Sequence, residues 1–497
     1  MIALTRLQAR RLRAVFRRRP LGINHKGLVP PLIWHNDPAG GLRVRHHRPP
    51  LAVECSFPAS AGSASLGTLL LPLEALADFE GKDEAAVTLE PGNANRVLAR
   101  WTDRGIPQVR EYVVPALDSL PEFPKTPDTF QTCPAVLLDA LAEATATTDA
   151  ASTRYALDCL QLRGETGEII ATDGRQILIR GGFIFPWPGD VLMRGAPVFA
   201  VRDLPRDRPV RIGCTDGHVV VQTGGWTFWP AIATEARFPR IENAIPDPAT
   251  LTTRLRLDPT DIAFLATALD RLPGADEHNA PVTLDGNGEI IVRARAADRE
   301  HATELVLSRS RCSGPPARLA TNRAYLARAL QLGFTEIGLS GPSAAVCCRH
   351  DSNCYIWQPL HHDAAIGPSA NAVRIASTTA ASASVSAVEP MALPRRTRRL
   401  MNSSFAQPNG HSCRDPAQGH HPSTNGHAAP PDLASEASST GTATLIQEAA
   451  ALHEALSDAR ARAQRLIAAL RRQRKRDRAV KSALDSLRQL KLQEVAE

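Results

Sequence analysis

The segment EIIATDGRQILIR, residues 168–180, sets two short apolar runs on either side of Asp173-Gly174. Asp-Gly between alternating apolar runs is a strong local hairpin signal, because the turn that matches strand twist needs positive φ at both central positions. The reading predicts a hairpin with a tight two-residue turn. It leaves Thr172, Arg175 and Gln176 at the tip unexplained, since a solvated turn has no need of that polar set.

Working outward, one pattern occurs three times: an amphipathic segment, a polar loop, a hairpin and a further strand. LLLPLEALADF precedes Val87-Thr88-Leu89, RVLARW and REYVVPA; VFAVRDL precedes Val210-Arg211-Ile212, HVVVQTGGW and FWPAIA. NRAYLARALQLGF precedes Ile337-Gly338-Leu339, AAVCCRH and CYIWQPL. The spacing, roughly 125 residues, is the size of a domain and not of a solenoid repeat. Each copy follows another half of helix plus strands, with TRLQARRLRAVFRRR, AVLLDALAEATAT and PTDIAFLATALDRL as the clearest helices and PVTLDGNGEIIV as another hairpin. Proline-rich joints, LPEFPKTPD at 120–128 and FPRIENAIPDP at 238–248, separate the copies, since proline offers no ladder N–H. Three α+β domains are expected, at residues 1–122, 128–247 and 250–362.

Composition agrees with several domains. The 497 residues exceed one core, and 43% hydrophobic content is ordinary for globular protein. Past residue 363 the chain turns to Ala, Ser, Thr, Pro, Gly, Asn and His until about 443, a segment read as a disordered linker. Residues 444–493 read as a long basic helix, with Leu445, Ala449, Leu452, Leu456, Ala459, Ala463, Leu466 and Leu470 at coiled-coil spacing. The nine cysteines lack CxxC spacing; Cys347, Cys348, His350 and Cys354 are the densest group, and buried reduced thiols suit them better than metal. No apolar run reaches the roughly 20 residues that span a bilayer, so a cytoplasmic protein without membrane contact is expected. The Arg-rich start lacks an apolar h-region, which disfavours a secretory signal and leaves a transit peptide as the lesser reading.

The net charge of +7 is unevenly placed. The first 20 residues hold seven arginines and no acid, whereas residues 21–362 hold 33 basic against 39 acidic side chains. Arg6, Arg10, Arg13 and Arg17 recur at helical spacing, with Leu12, Val15 and Phe16 free to turn inward. Such a stripe suits phosphates without base readout; the bland alternative is a solvated helix. An enzyme is disfavoured: no phosphate loop, HExxH, GxSxG or paired-cysteine zinc pattern occurs, and no cofactor is implied.

At ATDGRQ, RFPRIENAIPD and CYIWQPL the chain resembles the bacterial sliding clamp, the beta subunit of DNA polymerase III. The resemblance spans residues 1 to about 362. It implies three repeated clamp domains with helices lining a channel and sheets outside, a head-to-tail homodimeric ring around duplex DNA, and no catalysis. The implied partners are DNA, read without sequence preference, and DNA polymerase and clamp-loader subunits held by short peptides. The implied place is the cytoplasm, with the nucleoid.

The same resemblance makes the 168–180 tip one wall of a peptide pocket between the second and third domains. It carries over to Leu157, Thr172, Gly174, Arg175, Gln176 and Ile177, to Pro239 and Ala244 in the linker, and to Ala345, Ile356, Gln358, Pro359 and Leu360 in the third domain. DNA contact carries over to Arg154 and Tyr155, and less strongly to Arg323 and Arg328, beside the first-helix stripe. Tyr112, Val114, Leu269 and Leu272 are the expected dimer contacts. Gln358, Trp357 and His361-His362 depart from the family pattern, as does the extension of about 135 residues, and point to a divergent or accessory member. The competing function is a clamp-derived scaffold that assembles through its coiled coil and does not serve the replicative polymerase. Gln489-Leu490-Lys491-Leu492-Gln493 resembles the Gln-Leu-x-Leu-Phe peptide that binds clamps, or simply finishes the helix.

Overall fold

A computed structural model describes residues 1–24, 29–37, 41–58, 67–93, 95–115, 122–152 and 155–377. Arg154, most of the expected linker and all of the expected long helix with its terminal peptide lie outside the described residues. All described residues belong to one compact unit.

The first domain starts with strand β1 (Ile2–Thr5) and helix α1 (Arg6–Val15). Thr5 and Gln8 form a reciprocal capping box, Thr5 Oγ1 accepting from Gln8 N at 3.1 Å and Gln8 Oε1 from Thr5 N at 2.8 Å, so two orphan donors are satisfied where the helix begins. Ala9, Leu12 and Val15 bury one helical face, with Phe16 against Trp226 of the second domain. Strands β2 (Leu32–Asp37), β3 (Gly41–Arg48), β4 (Leu51–Phe57) and β5 (Gly67–Leu71) follow, then helix α2 (Leu76–Phe79) and β6 (Ala86–Pro91), β7 (Arg96–Asp103) and β8 (Ile106–Val113).

The second domain contributes β9 (Gln131–Cys133), α3 (Val136–Thr145), β10 (Cys159–Arg163), β11 (Glu168–Thr172), β12 (Gln176–Arg180), β13 (Asp190–Arg194), β14 (Val210–Cys214), β15 (Val219–Thr223) and β16 (Trp226–Pro230). The third holds β17 (Thr253–Arg256), α4 (Pro259–Ala268), β18 (Pro281–Asn287), β19 (Glu289–Ala294), β20 (Thr303–Leu307), β21 (Arg311–Ser313), β22 (Ala317–Asn322), α5 (Arg323–Gln331), β23 (Glu336–Leu339), β24 (Val346–His350), β25 (Asn353–Trp357) and β26 (Val373–Ala376).

These strands form four sheets, two of which cross domain boundaries. β4 pairs antiparallel with β16, giving the order β5-β2-β3-β4-β16-β15-β14-β9. β12 pairs with β25, giving β13-β10-β11-β12-β25-β24-β23-β17-β21. The sheets β1-β6-β7-β8 and β22-β18-β19-β20-β26 each belong to one domain. One core runs under the first two domains and a second fills the third.

The amphipathic segment VFAVRDL begins within a 3-10 turn at Pro197–Ala200. Two sequence expectations are corrected. The 168–180 hairpin has four residues between the Thr172↔Ile177 pair, and of its Asp-Gly only Gly174 takes positive φ, at +85°. The third domain does not stop at 362: residues 363–377 pack on it and finish as β26, parallel to β20. The composition shift at 363 hid the short run Val373-Arg374-Ile375, which is enough for one edge strand.

His46 on β3 is 1% exposed, and burial, with the charges of His47 and Arg48 beside it, lowers its pKa to about 4. The unfolded chain therefore takes up this proton first as pH falls below about 6.5, and stability present above that value is lost towards pH 4. The loss is about 3 kcal/mol. Urea midpoints measured from pH 7 to pH 4 should fall less steeply in His46→Leu than in the parent; parallel curves would remove His46 as the cause.

Candidate functional site

The β12–β25 seam sets the site. Gln176↔Trp357, Ile177↔Ile356, Leu178↔Tyr355 and Ile179↔Cys354 are opposed, so strand alternation sends Ile177, Ile179, Cys354 and Ile356 to one face and Leu178, Tyr355 and Trp357 to the other. Ile177 and Ile356 of the first face, with Ile241, line a cavity of about 370 Å³ between the second and third domains and belong to an apolar cluster that also holds Ile170, Ile179, Leu251 and Cys354. The cavity lining is Tyr155, Leu157, Thr172, Gly174, Arg175, Ile177, Pro239, Arg240, Ile241, Ala244, Ala345, Ile356, Trp357 and Gln358.

The polar tip residues divide between building the turn and facing the cavity. Thr172 is buried; its hydroxyl donates to Gln176 O at 2.6 Å and accepts from Gly174 N at 3.0 Å. Asp173 Oδ1 accepts from Arg175 N at 2.8 Å and Gln176 N at 3.0 Å, while its Oδ2 accepts from Gln176 Nε2 at 2.8 Å. Gln176 Oε1 accepts from the Tyr355 hydroxyl at 2.6 Å, so the turn is tied to the third domain. Gln358 N donates to Arg175 O at 3.0 Å and closes the seam. Arg175 itself is exposed and lines the cavity. The opposite wall is the interdomain linker, pinned where Arg163 meets Glu242 at 2.7 Å and Ala156 N meets Arg237 O at 3.0 Å.

Ten of the expected pocket residues line this cavity. Gln176 is buried behind the wall, and Pro359 and Leu360 lie past its edge, where Leu360 N bonds Ala320 O at 2.8 Å. Arg240, Ile241 and Trp357 were missed. Trp357 is less intrusive than its size implies: its ring is buried in the third-domain core, Nε1 donating to Thr321 Oγ1 at 2.8 Å. Tyr155, expected at DNA, stands at the cavity mouth, 67% exposed and held at φ +55°, a costly backbone for a residue of its size.

The basic stripe is also rearranged. Arg6 is 8% exposed and caged by Asp83 at 3.2 Å, Asp103 at 2.8 Å and the carbonyls of Thr102 and Glu80. Arg13 pairs with Glu80. Arg10, Arg11, Arg17 and Arg19 are exposed, and their side chains make no hydrogen bond or ion pair among the described residues. The heptad-like spacing could not show that the helix stops at Val15 or that acids from residues 80–103 reach back to it.

Arg323 is not a surface cation: it is 3% exposed and donates to the carbonyls of Ala280, Leu269, Leu272 and Pro273. Arg328 bridges to the second domain through Glu143 O at 2.6 Å and Thr147 Oγ1 at 3.1 Å. Leu269 and Leu272 are 1% and 5% exposed and pack into the third-domain core, Leu272 also reaching the wall of an open groove. Tyr112 is buried, its hydroxyl donating to Asp78 at 2.8 Å, and Val114 is half-buried just past β8. The apolar groups that β8 does present are Ile106, Val109 and Val113, at 62%, 56% and 71% exposure.

In the cysteine group, Cys354 and Cys347 lie 3.7 Å apart, Cys348 is buried on the opposite face, and His350 is exposed. They do not converge on one point. Among the described residues, the ligand-type side chains that do converge are His361, His362 and Asp363, consecutive and exposed.

Two shared sheets, three repeated domains and a cavity at the second interdomain seam define the sliding-clamp fold. The chain is similar to the crystal structure of the DNA polymerase III subunit beta from Pseudomonas aeruginosa, with a TM-score of 0.59 and 16% identity over 72% of this chain and 99% of that one. It is similar to the DNA polymerase sliding clamp from Bacillus subtilis, with a TM-score of 0.59 and 15% identity over 72% and 98%. The DNA polymerase III beta chain from Streptococcus pneumoniae gives 0.59 and 12% over 72% and 99%. No family model matches the sequence, and no curated protein does either.

Asp173→Ala should cost about 2 kcal/mol, because one carboxylate satisfies three donors in the wall of the cavity. Urea unfolding checks this, and an unchanged midpoint would mean that the seam alone holds the tip.

Proposed function

We propose that this chain is a sliding clamp: two copies close head to tail around duplex DNA and tether polymerase and repair proteins, without catalysing a reaction. The observation that carries the reading is the cavity on the β12–β25 seam, whose apolar floor and few polar rim groups suit leucyl anchors of a short peptide. The unpaired arginines of the first domain, Arg10, Arg11, Arg17 and Arg19, are the groups proposed to meet phosphates. Arg6, Arg323 and Arg328 serve the fold instead. No helix among the described residues is long and apolar enough to cross a membrane.

Assembled from monomer in the presence of nicked circular duplex, the protein should co-elute with the circle and be released when the circle is cut. Equal retention on both forms, or none, would favour the scaffold reading. A labelled Gln-Leu-Asp-Leu-Phe peptide should bind the parent and lose affinity on Ile356→Asp; equal binding would remove the cavity as its site.

Replacing Arg10, Arg11, Arg17 and Arg19 together by Glu should weaken binding to linear duplexes of any sequence alike. It should also make the salt dependence shallower, by about 0.9 in the log–log slope for each phosphate that is no longer neutralised. An unchanged slope would place the DNA-binding surface elsewhere.

A further inference from the structure

Residues 363–377 cross the third-domain sheet from one side to the other. Leu360 N bonds Ala320 O on β22, Ile366 N bonds Thr283 Oγ1 on β18 at 2.8 Å, and Val373 N bonds Ala302 O beside β20 at 2.9 Å. The segment ends as β26, in the register Thr303↔Val373, Glu304↔Arg374, Leu305↔Ile375 and Val306↔Ala376. β20 already pairs with β19 on its other side, so β26 takes the edge that would be open.

The hold is thin. Four parallel residue pairs make a weaker ladder than antiparallel ones, and Val373 and Ile375 remain 57% and 40% exposed. Arg374 adds ion pairs to Glu289 at 3.0 Å and Glu304 at 3.6 Å. Beside β26 lies an open groove of about 720 Å³, walled by Phe264, Thr267, Ala268, Leu272, Leu305 and Ile375. Helix α4 carries no charge from Ile262 to its end at Ala268, yet Ala263, Ala266 and Thr267 face solvent, and a helix apolar on all sides is normally covered. Elsewhere β8, eight residues long, is an open edge with Ile106, Val109 and Val113 exposed.

We propose that residues 363–377 are a displaceable cap: β26 occupies the β20 edge that β8 of a second copy takes when the ring closes. This rests on the ring reading above and adds its regulation. A strand pairs with one neighbour on each edge, so β26 and the incoming β8 exclude each other. The longer antiparallel strand replaces the shorter parallel one and lays Val109 and Val113, which share one face, over the groove beside α4. The chain thus guards a sticky edge in the monomer, as exposed edges require, and assembly is set by how often the cap is open. A cap closed nine-tenths of the time weakens each of the two seams about tenfold, and closure of the two-copy ring about a hundredfold.

Full-length Val373→Pro removes the N–H that bonds Ala302 O, and full-length Arg374→Glu breaks both ion pairs through an exposed side chain. Sedimentation velocity over a concentration series should show both variants dimerising more tightly than the parent, about tenfold per seam and about a hundredfold for the closed ring. Arg374→Glu keeps the test valid where the proline variant does not fold. Dimerisation equal to or weaker than the parent's would overturn the cap while leaving the ring. Monomer in parent and variants alike up to 100 µM, on the order of a weak contact's range, would overturn the ring reading and the cap with it.

Discussion

The pairing of β12 with β25 is the constraint on which the rest depends. Four opposed residue pairs join sheets from two domains, and the side chains that alternate across them serve two cores. Leu178, Tyr355 and Trp357 pack into the third domain, whereas Ile177 and Ile356 line the cavity and Ile179 and Cys354 join the same apolar cluster. A slip of one residue would exchange those faces and place the indole of Trp357 in the site. The Gln176–Tyr355 hydrogen bond fixes the register from both sides, which is why a buried glutamine is tolerated there.

A similar principle sorts the arginines. A guanidinium with five donors is stable inside only when carbonyls or carboxylates surround it. Arg323 meets that condition with four carbonyls, Arg6 with two carboxylates and two carbonyls, and Arg293 with Asp285 and Glu304. Those arginines hold secondary structure in place. The exposed side chains of Arg10, Arg11, Arg17 and Arg19 have no such role and are the ones proposed above to meet an outside anion.

The extension changes the balance of the third domain. Its sheet is covered on the side where residues 363–377 cross, so Asp285, Arg293 and Glu304 are buried as an ion cluster in an outer sheet. The clamp structures to which the chain is similar cover 72% of it and nearly all of their own length.

Much of this was legible in the sequence because it depends on local rules. Repeating units, proline joints and the hairpin at 168–180 follow from alternation and turn chemistry, and ten lining residues followed from the resemblance at ATDGRQ, RFPRIENAIPD and CYIWQPL. Helical spacing placed Leu12, Val15 and Phe16 inside correctly. What spacing cannot carry is the identity of a distant partner. Only the tertiary structure decided that Asp83 and Asp103 cage Arg6, that the carbonyls of Leu269 and Leu272 take up Arg323, and that Tyr155 stands at a cavity mouth. It alone decided that four residues of a low-complexity stretch become a strand, because a strand of marginal propensity forms where an unpaired edge is already waiting for its hydrogen bonds.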